Sequence, residues 1–240
     1  MKVVILAGGK GTRLKPYTIT IPKPLVPIGK FSILEIVIRQ LKKYGFEDII
    51  LTVNHMSELI KAYFKDGKKF GVKIEYSIEK KLLGTAGPLS LIGDISEEFL
   101  VINGDILTNL DFSKLVDYHK RGTQIATLVT FKKKVPINLG VLEIGRDRTV
   151  RKYIEKPSLS YNASTGIYVF NKRVLSYIKK NRHFDLPELV KLLIKKGIDV
   201  KVYEFGGLWF DIGTPSDYEE AIQTFKKNRS MFLQKDKKII

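Results

Sequence analysis

The sequence predicts an α/β fold: a three-layer αβα sandwich on a mostly parallel mixed central sheet, with a small added β layer. Three observations carry this. Through the first half, short apolar runs alternate with segments whose apolar residues have helical spacing. The runs at 2–6 and 99–103 each lead straight into glycine-bearing loops, which is where open α/β sheets put their ligand-binding turns. Past residue 125 the apolar runs follow one another without long helices between them, which predicts antiparallel pairing in an extra layer.

Taken in order, residues 2–6 form a buried strand. Leu34, Val37, Ile38 and Leu41 mark a helix with Ser32 as N-cap and Gly45 as its stop. A strand at 48–53, a helix at 57–64 and a strand at 72–77 continue the alternation. A short helix follows at 88–92, then a strand at 99–103 and a helix at 112–120. Strands are expected at 125–131, 140–144, 149–155 and 166–170. Asp185 opens a helix that runs to Lys196, with Pro187 in its first turn and Gly197 ending it. A strand at 200–205 and a helix at 215–228 complete the order, and a lysine-rich tail is expected to fray.

With 240 residues, the chain suits one large α/β domain or a core plus a small subdomain. Its 44% hydrophobic and 28% charged content is ordinary for a globular protein. The absence of cysteine excludes disulfides, thiolate metal sites and cysteine nucleophiles. The opening apolar run is too short for a signal peptide or membrane span, so a cytoplasmic protein without membrane contact is expected. The formal net charge of +17 suits a polyanionic partner such as nucleic acid. The lysines are scattered near element ends, however, and not interleaved with stacking aromatics. A solvated basic surface with no nucleic-acid partner is the favoured reading.

The chemistry starts at Leu6-Ala7-Gly8-Gly9-Lys10-Gly11-Thr12-Arg13-Leu14. Glycines after a strand let backbone N–H groups approach phosphate oxygens. Thr12 adds a hydroxyl donor, and Arg13 a fork suited to a pyrophosphate. The loop lacks the Gly-Lys-Ser/Thr ending of a Walker loop and the spacing of the dinucleotide fingerprint. By themselves the glycines also fit a plain turn with a surface arginine. The next segment, Ile21-Pro22-Lys23-Pro24-Leu25-Val26-Pro27-Ile28, is proline-stiffened and would aim Lys23 consistently.

Together these segments resemble the signature of the sugar-1-phosphate nucleotidyltransferase family, and the resemblance runs to Trp209-Phe210-Asp211-Ile212-Gly213-Thr214-Pro215. It feels nearest to guanylyltransferases of the mannose-1-phosphate type without a C-terminal hexapeptide-repeat domain. It implies a Rossmann-like single domain, with a nucleotide-binding half at 1–124, a sugar-binding half at 125–229 and a basic tail at 230–240. It implies Mg²⁺ held by Asp105, in Asn103-Gly104-Asp105, and by Asp211, both hard oxygen ligands. Leu6, Ala7, Gly8, Gly9, Gly11, Thr12 and Arg13 would hold the triphosphate, with Lys23 on its α-phosphate. Glu79, Gly84 and Thr85 would face the base. Glu79 before Leu83-Gly84-Thr85-Ala86-Gly87 leans the reading toward GTP. Gly104, Gly140, Glu155, Lys156 and Asp211 would meet the sugar phosphate.

Where the family often has Asn-Ala-Gly, this chain has Ser164-Thr165-Gly166, so Ser164 is expected in the asparagine's place. The implied reaction joins an NTP and a sugar 1-phosphate (mannose, heptose or a related sugar) into an NDP-sugar and pyrophosphate. The catalytic set would be Arg13, Lys23, Asp105, Lys156 and Asp211. Alternatives are UTP, dTTP or CTP with glucose- or N-acetylmuramic acid 1-phosphate, a cytidylyltransferase acting on phosphocholine, or a non-catalytic exchange-factor-like relative. His55, His119 and His183 read as surface or packing residues. A homo-oligomer is left open.

Overall fold

In the run Val3-Val4-Ile5 every side chain is buried, and strand alternation sends Val3 and Ile5 to one core and Val4 to the opposite one. A strand packed on both faces belongs at the centre of a sheet. In this computed structural model, which describes residues 1–233, β1 (Lys2–Leu6) takes that position. Residues 234–240 of the expected basic tail lie outside the described residues.

The elements that follow are β2 (Pro27–Ile28), β3 (Phe31–Ser32), α1 (Ile33–Lys43), β4 (Asp48–Val53), α2 (Ser57–Phe64) and β5 (Lys73–Ile78). Next come β6 (Glu98–Asn103), β7 (Ile106–Thr108), α3 (Phe112–Lys120), β8 (Ala126–Pro136), β9 (Val141–Ile144) and β10 (Val150–Ile154). The chain closes with β11 (Ser158–Asn171), α4 (Leu186–Lys195), β12 (Val200–Phe205), β13 (Trp209–Asp211), α5 (Pro215–Lys227) and α6 (Arg229–Phe232).

The main sheet has seven strands in the order β12-β8-β11-β6-β1-β4-β5. All neighbouring pairs are parallel except those of β11, which runs against both β6 and β8. One core packs α1, α2 and α3 on the face of Val3 and Ile5. The other packs α4 and the turn around Leu89 on the face of Val4. A third cluster joins Leu14, Ile28, Ile33 and Ile36 to Tyr218, Phe225 and Phe232 of α5 and α6. The expected αβα sandwich with its mixed sheet is thus the observed one.

The helix starts follow local chemistry. Glu35 N donates to Ser32 Oγ at 3.2 Å, and Asp111 Oδ1 accepts from Ser113 and Lys114 at the start of α3. Thr214 and Asp217 cap α5 reciprocally, with Pro215 in the first turn, so α5 begins four residues after Asp211.

Several expectations change. The helix expected at 88–92 is a 3₁₀ segment, Gly87–Leu91, where Pro88 withholds a backbone donor. The strand expected at 166–170 begins at Ser158, and the one at 125–131 continues to Pro136. Their added lengths pair with each other beyond the core, where polar residues and three consecutive lysines give no apolar alternation. Phe232 and Leu233, within the stretch expected as a basic tail, are buried against α5. Among the described residues, no helix is long and apolar enough to cross a membrane.

Phe170 is fully buried, stacked 5.5 Å from the Tyr168 ring and 5.9 Å from Phe99. Phe170→Ala is expected to cost about 3–5 kcal/mol of unfolding free energy through the cavity it leaves, measured as a lower denaturant midpoint at unchanged m-value.

Candidate active site

The glycine loop leaves the carboxyl end of β1, and Asn103-Gly104-Asp105 leaves the carboxyl end of the adjacent β6. Both therefore open onto one place, a cavity of about 430 Å³. Leu6, Ala7, Gly8, Gly9 and Thr12 line it from the loop, and Gly104 and Asp105 from β6. Gly11 turns the loop with φ +63 and is pinned by Thr18 Oγ1, which donates to its carbonyl at 2.8 Å.

Lys23 reaches the same cavity from a 3₁₀ turn, Lys23–Leu25, held between Pro22 and Pro24. It is 9% exposed and forms a hydrogen-bonded ion pair with Asp105 Oδ2. The other oxygen, Asp105 Oδ1, is buried with no hydrogen-bond partner among the described residues.

Asp211 is brought alongside by a three-residue pairing the sequence reading did not anticipate. β13 runs antiparallel to β7 with Asp211 opposite Ile106, and Ile212 N donates to the Asp105 carbonyl at 3.1 Å. One side of Asp211 stays open to solvent. Loss of water around its carboxyl group and the Asp105 charge raise its pKa, against the pull of Lys23 and Arg13. Two neighbouring carboxylates, one with a spare buried oxygen, fit a divalent cation held by oxygen ligands. Arg13 does not line the cavity. It stands at its edge, where a Cβ built on Gly213 would come within 3.5 Å of its Nη1.

At the other end of the cavity Glu79 is 5% exposed. Its Oε2 accepts from Leu83 N at 3.0 Å, and its Oε1 packs against Gly8. Asn54 Nδ2 holds the Glu79 carbonyl at 2.6 Å. Burial pushes the carboxyl above the usual carboxylate value, and the Leu83 hydrogen bond only partly offsets this.

Gly84 and Thr85 line the cavity close by. Thr85 donates through N and Oγ1 to Asp185 Oδ1, and Leu186 N donates back to Thr85 Oγ1 at 2.8 Å. A Cβ at Gly84, whose φ is +79, would stand 2.6 Å from Asp185 Oδ1. Asp185 is thus more than the expected helix cap, since it also ties the 83–87 loop to the start of α4.

The residues expected on the sugar side are arranged differently. Glu155 and Lys156 are exposed, with Lys156 Nζ 3.9 Å from Glu155 Oε1. Lys156 has φ +44, a strained value for a non-glycine residue. The Tyr153 hydroxyl packs over Gly140 and donates to Glu155 Oε2 at 3.0 Å. Ser164 Oγ lies 3.2 Å from the Tyr168 hydroxyl. Gly140, Glu155, Lys156 and Ser164 do not line the cavity.

Sequence reasoning missed seven cavity or neighbouring residues. Lys10, Pro24, Thr52, Leu82, Asn103 and His183 line the cavity, and Tyr153 holds Glu155. Lys10 and Asn103 lay inside motifs already singled out. Thr52, His183 and Tyr153 carried no local signal. His119 is buried between Glu98 and Thr127, in keeping with a packing role.

Residues 2–228 match the nucleotidyl transferase family, and the chain belongs to it. It is 37% identical to a UTP–glucose-1-phosphate uridylyltransferase of Synechocystis over 93% of this chain and 63% of that protein. It is 35% identical to mannose-1-phosphate guanyltransferase beta-B of Xenopus laevis over 91% of this chain and 62% of that protein. The chain thus spans just under two thirds of the length of these curated relatives.

Among solved structures, a glucose-1-phosphate thymidylyltransferase of Bacillus anthracis, itself described as putative, superposes with TM-score 0.75 and 29% identity, covering 93% of this chain and 94% of that one. HddC of Yersinia pseudotuberculosis complexed with GMP-PN gives 0.71 and 27%, covering 93% and 99%.

Glu79's raised pKa means the folded protein keeps a proton that the unfolded chain has released, so this group lowers stability as pH rises through the folded value. Glu79→Gln is expected to melt higher than the wild type at neutral pH. That difference should shrink as pH falls through the raised Glu79 value, read by thermal melts across a pH series.

Proposed function

We propose that the chain transfers a nucleotidyl group from an NTP to a sugar 1-phosphate, releasing pyrophosphate and an NDP-sugar. The observation that carries this is the convergence of Lys23 and Asp105 in one cavity beside a glycine loop, with Asp211 brought alongside Asp105 by the β7–β13 pair. It is supported by membership of the nucleotidyl transferase family and by relatives named for this reaction. A sugar-phosphate oxygen is already an anion, so the reaction needs no general base. It needs two anions held together and the developing charge stabilised.

In this reading the loop amides from Gly8 to Thr12, with Arg13 at the cavity's edge, hold the β- and γ-phosphates. Lys23 moves from Asp105 toward the α-phosphate. Asp105 and Asp211 hold Mg²⁺, which supplies Lewis-acid charge stabilisation. Lys156 meets the sugar phosphate, Glu155 the sugar hydroxyls, and Gly140 the turn that closes on them.

The base read best by this site is guanine. A buried carboxylate at Glu79 accepts from the N1–H and exocyclic amine of guanine, and uracil and thymine offer no such pair of donors. A uridylyl donor is the second reading, favoured by the Synechocystis relative. A matrix of NTPs against sugar 1-phosphates, including mannose, glucose and heptose forms, tests the whole proposal by pyrophosphate release. Turnover should be highest with GTP, and silence across the matrix would exclude the enzyme reading.

Asp105→Asn and Arg13→Ala should each lower turnover by roughly a hundredfold or more, the scale for losing a preorganised charge stabiliser. Near-normal turnover of either variant rejects its assignment. Glu79→Gln should erode the preference for GTP over UTP, measured as the ratio of their kcat/KM values.

A further inference from the structure

Asn103 ends β6 between two strands. Leu6 of β1 is its register partner on one side, and β11 passes on the other with Ile167 opposite Ile102. Its carboxamide presses on β11 at Gly166, where an added Cβ would stand 2.5 Å from Nδ2 and 3.0 Å from Cγ. Gly166 also has φ +74, so position 166 needs glycine both for its backbone conformation and for the room it leaves this side chain.

Asn103 lines the cavity, and its Oδ1 is buried and accepts no hydrogen bond among the described residues. The neighbouring donors are committed elsewhere. Gly104 N donates to the Leu6 carbonyl, Thr165 Oγ1 to the Val129 carbonyl and Trp209 Nε1 to the Thr165 carbonyl. Ser164 is paired with Tyr168. An acceptor removed from water and left without a donor is a standing cost, and such groups persist where a ligand completes them.

We propose that Asn103 is a specificity-determining residue whose Oδ1 accepts a hydrogen bond from a sugar hydroxyl of a ligand in the cavity. Asn103 lies two residues before Asp105, away from the base-facing Glu79, so the group it meets adjoins a phosphate. A phosphate oxygen is an acceptor only and does not satisfy a carbonyl oxygen. A hydroxyl both donates and accepts, and so satisfies either end of a carboxamide. The hydroxyl comes from the ribose of the nucleotide or from the acceptor sugar. This assignment rests on the reading of the cavity as the site for an NTP and a sugar 1-phosphate.

Asn103→Ala in the full chain tests it. Two ligand series separate the sources: GTP against 2′-deoxy- and 3′-deoxy-GTP, and mannose 1-phosphate against its deoxy forms, or the best pair that the substrate matrix identifies. Binding is read by calorimetry and turnover by pyrophosphate release.

The wild type is expected to discriminate against one deoxy ligand by roughly tenfold, the scale of one hydrogen bond. Asn103→Ala should lose that discrimination alone, with kcat for the deoxy ligand near the wild-type value. The ligand-free variant should melt no lower than the wild type, because the lost oxygen had no partner.

No discrimination in the wild type, or a variant that keeps every wild-type ratio, overturns the proposal. So does a variant that weakens all ligands equally and melts lower, which marks a packing role. A wild-type chain that neither binds nor turns over any pair overturns the reading of the cavity, and the assignment of Asn103 with it.

Discussion

A lysine buried beside the cavity requires an anion, and Asp105 supplies it to Lys23. Much of the surrounding architecture delivers those two groups to one point. β6 ends at Asn103 and turns through Gly104 to aim Asp105. Pro22 and Pro24 stiffen the turn that presents Lys23. The short β7–β13 pair then fixes Asp211 beside them, and α5 starts at once behind a capped Pro215. Removing either member of the pair leaves the other without its ion-pair partner.

The same constraint shapes the electrostatics. Loss of water around its carboxyl group, and then the like charge of Asp105, make Asp211 bind its proton more readily than usual despite Lys23 and Arg13. Lys23 engages Asp105 Oδ2 only, which leaves Oδ1 buried and bare. A site with spare carboxylate oxygen and flanking cations is suited to a metal and phosphates arriving together. Each neutralises what the other would leave exposed.

How much of this was legible in the sequence follows from the range of each signal. The main-sheet strands and the α-helices up to Lys120 announce themselves locally, because burial on two faces makes unbroken apolar runs and single-face helices make a 3.6-residue period. The glycine loop, Lys23 and Asp105 were legible for the same reason, since each motif is contiguous. The extensions of β8 and β11 were not. Lys132 to Pro136 and Ser158 to Ser164 pair beyond the core, so no hydrophobic alternation marks them. The contacts that assemble the base end were also hidden. Thr85 meets Asp185 across a hundred residues, and the β7–β13 pair joins segments about as far apart. Asn103 was in view as part of a motif, but its unpartnered oxygen exists only once β11 closes over it.

The two halves of the site are held by interactions of unequal strength. The Glu79 end is fastened by hydrogen bonds between buried, distant segments, so it is preformed. Glu155 and Lys156 follow a two-stranded hairpin, β9–β10, whose side chains are mostly exposed and whose Tyr153 is 63% exposed. An isolated hairpin of this kind is marginal in water and opens at low free-energy cost. The strained φ of Lys156 lowers that cost further, because the strain belongs to the ordered form and is released on opening. Ordering this arm therefore draws on the binding energy of whatever it touches, whereas the Glu79 end is already in place. The consequence is a division of labour. Recognition at the Glu79 end is set by fixed geometry, and recognition at the arm by how much of a ligand's contact energy remains after the hairpin is ordered.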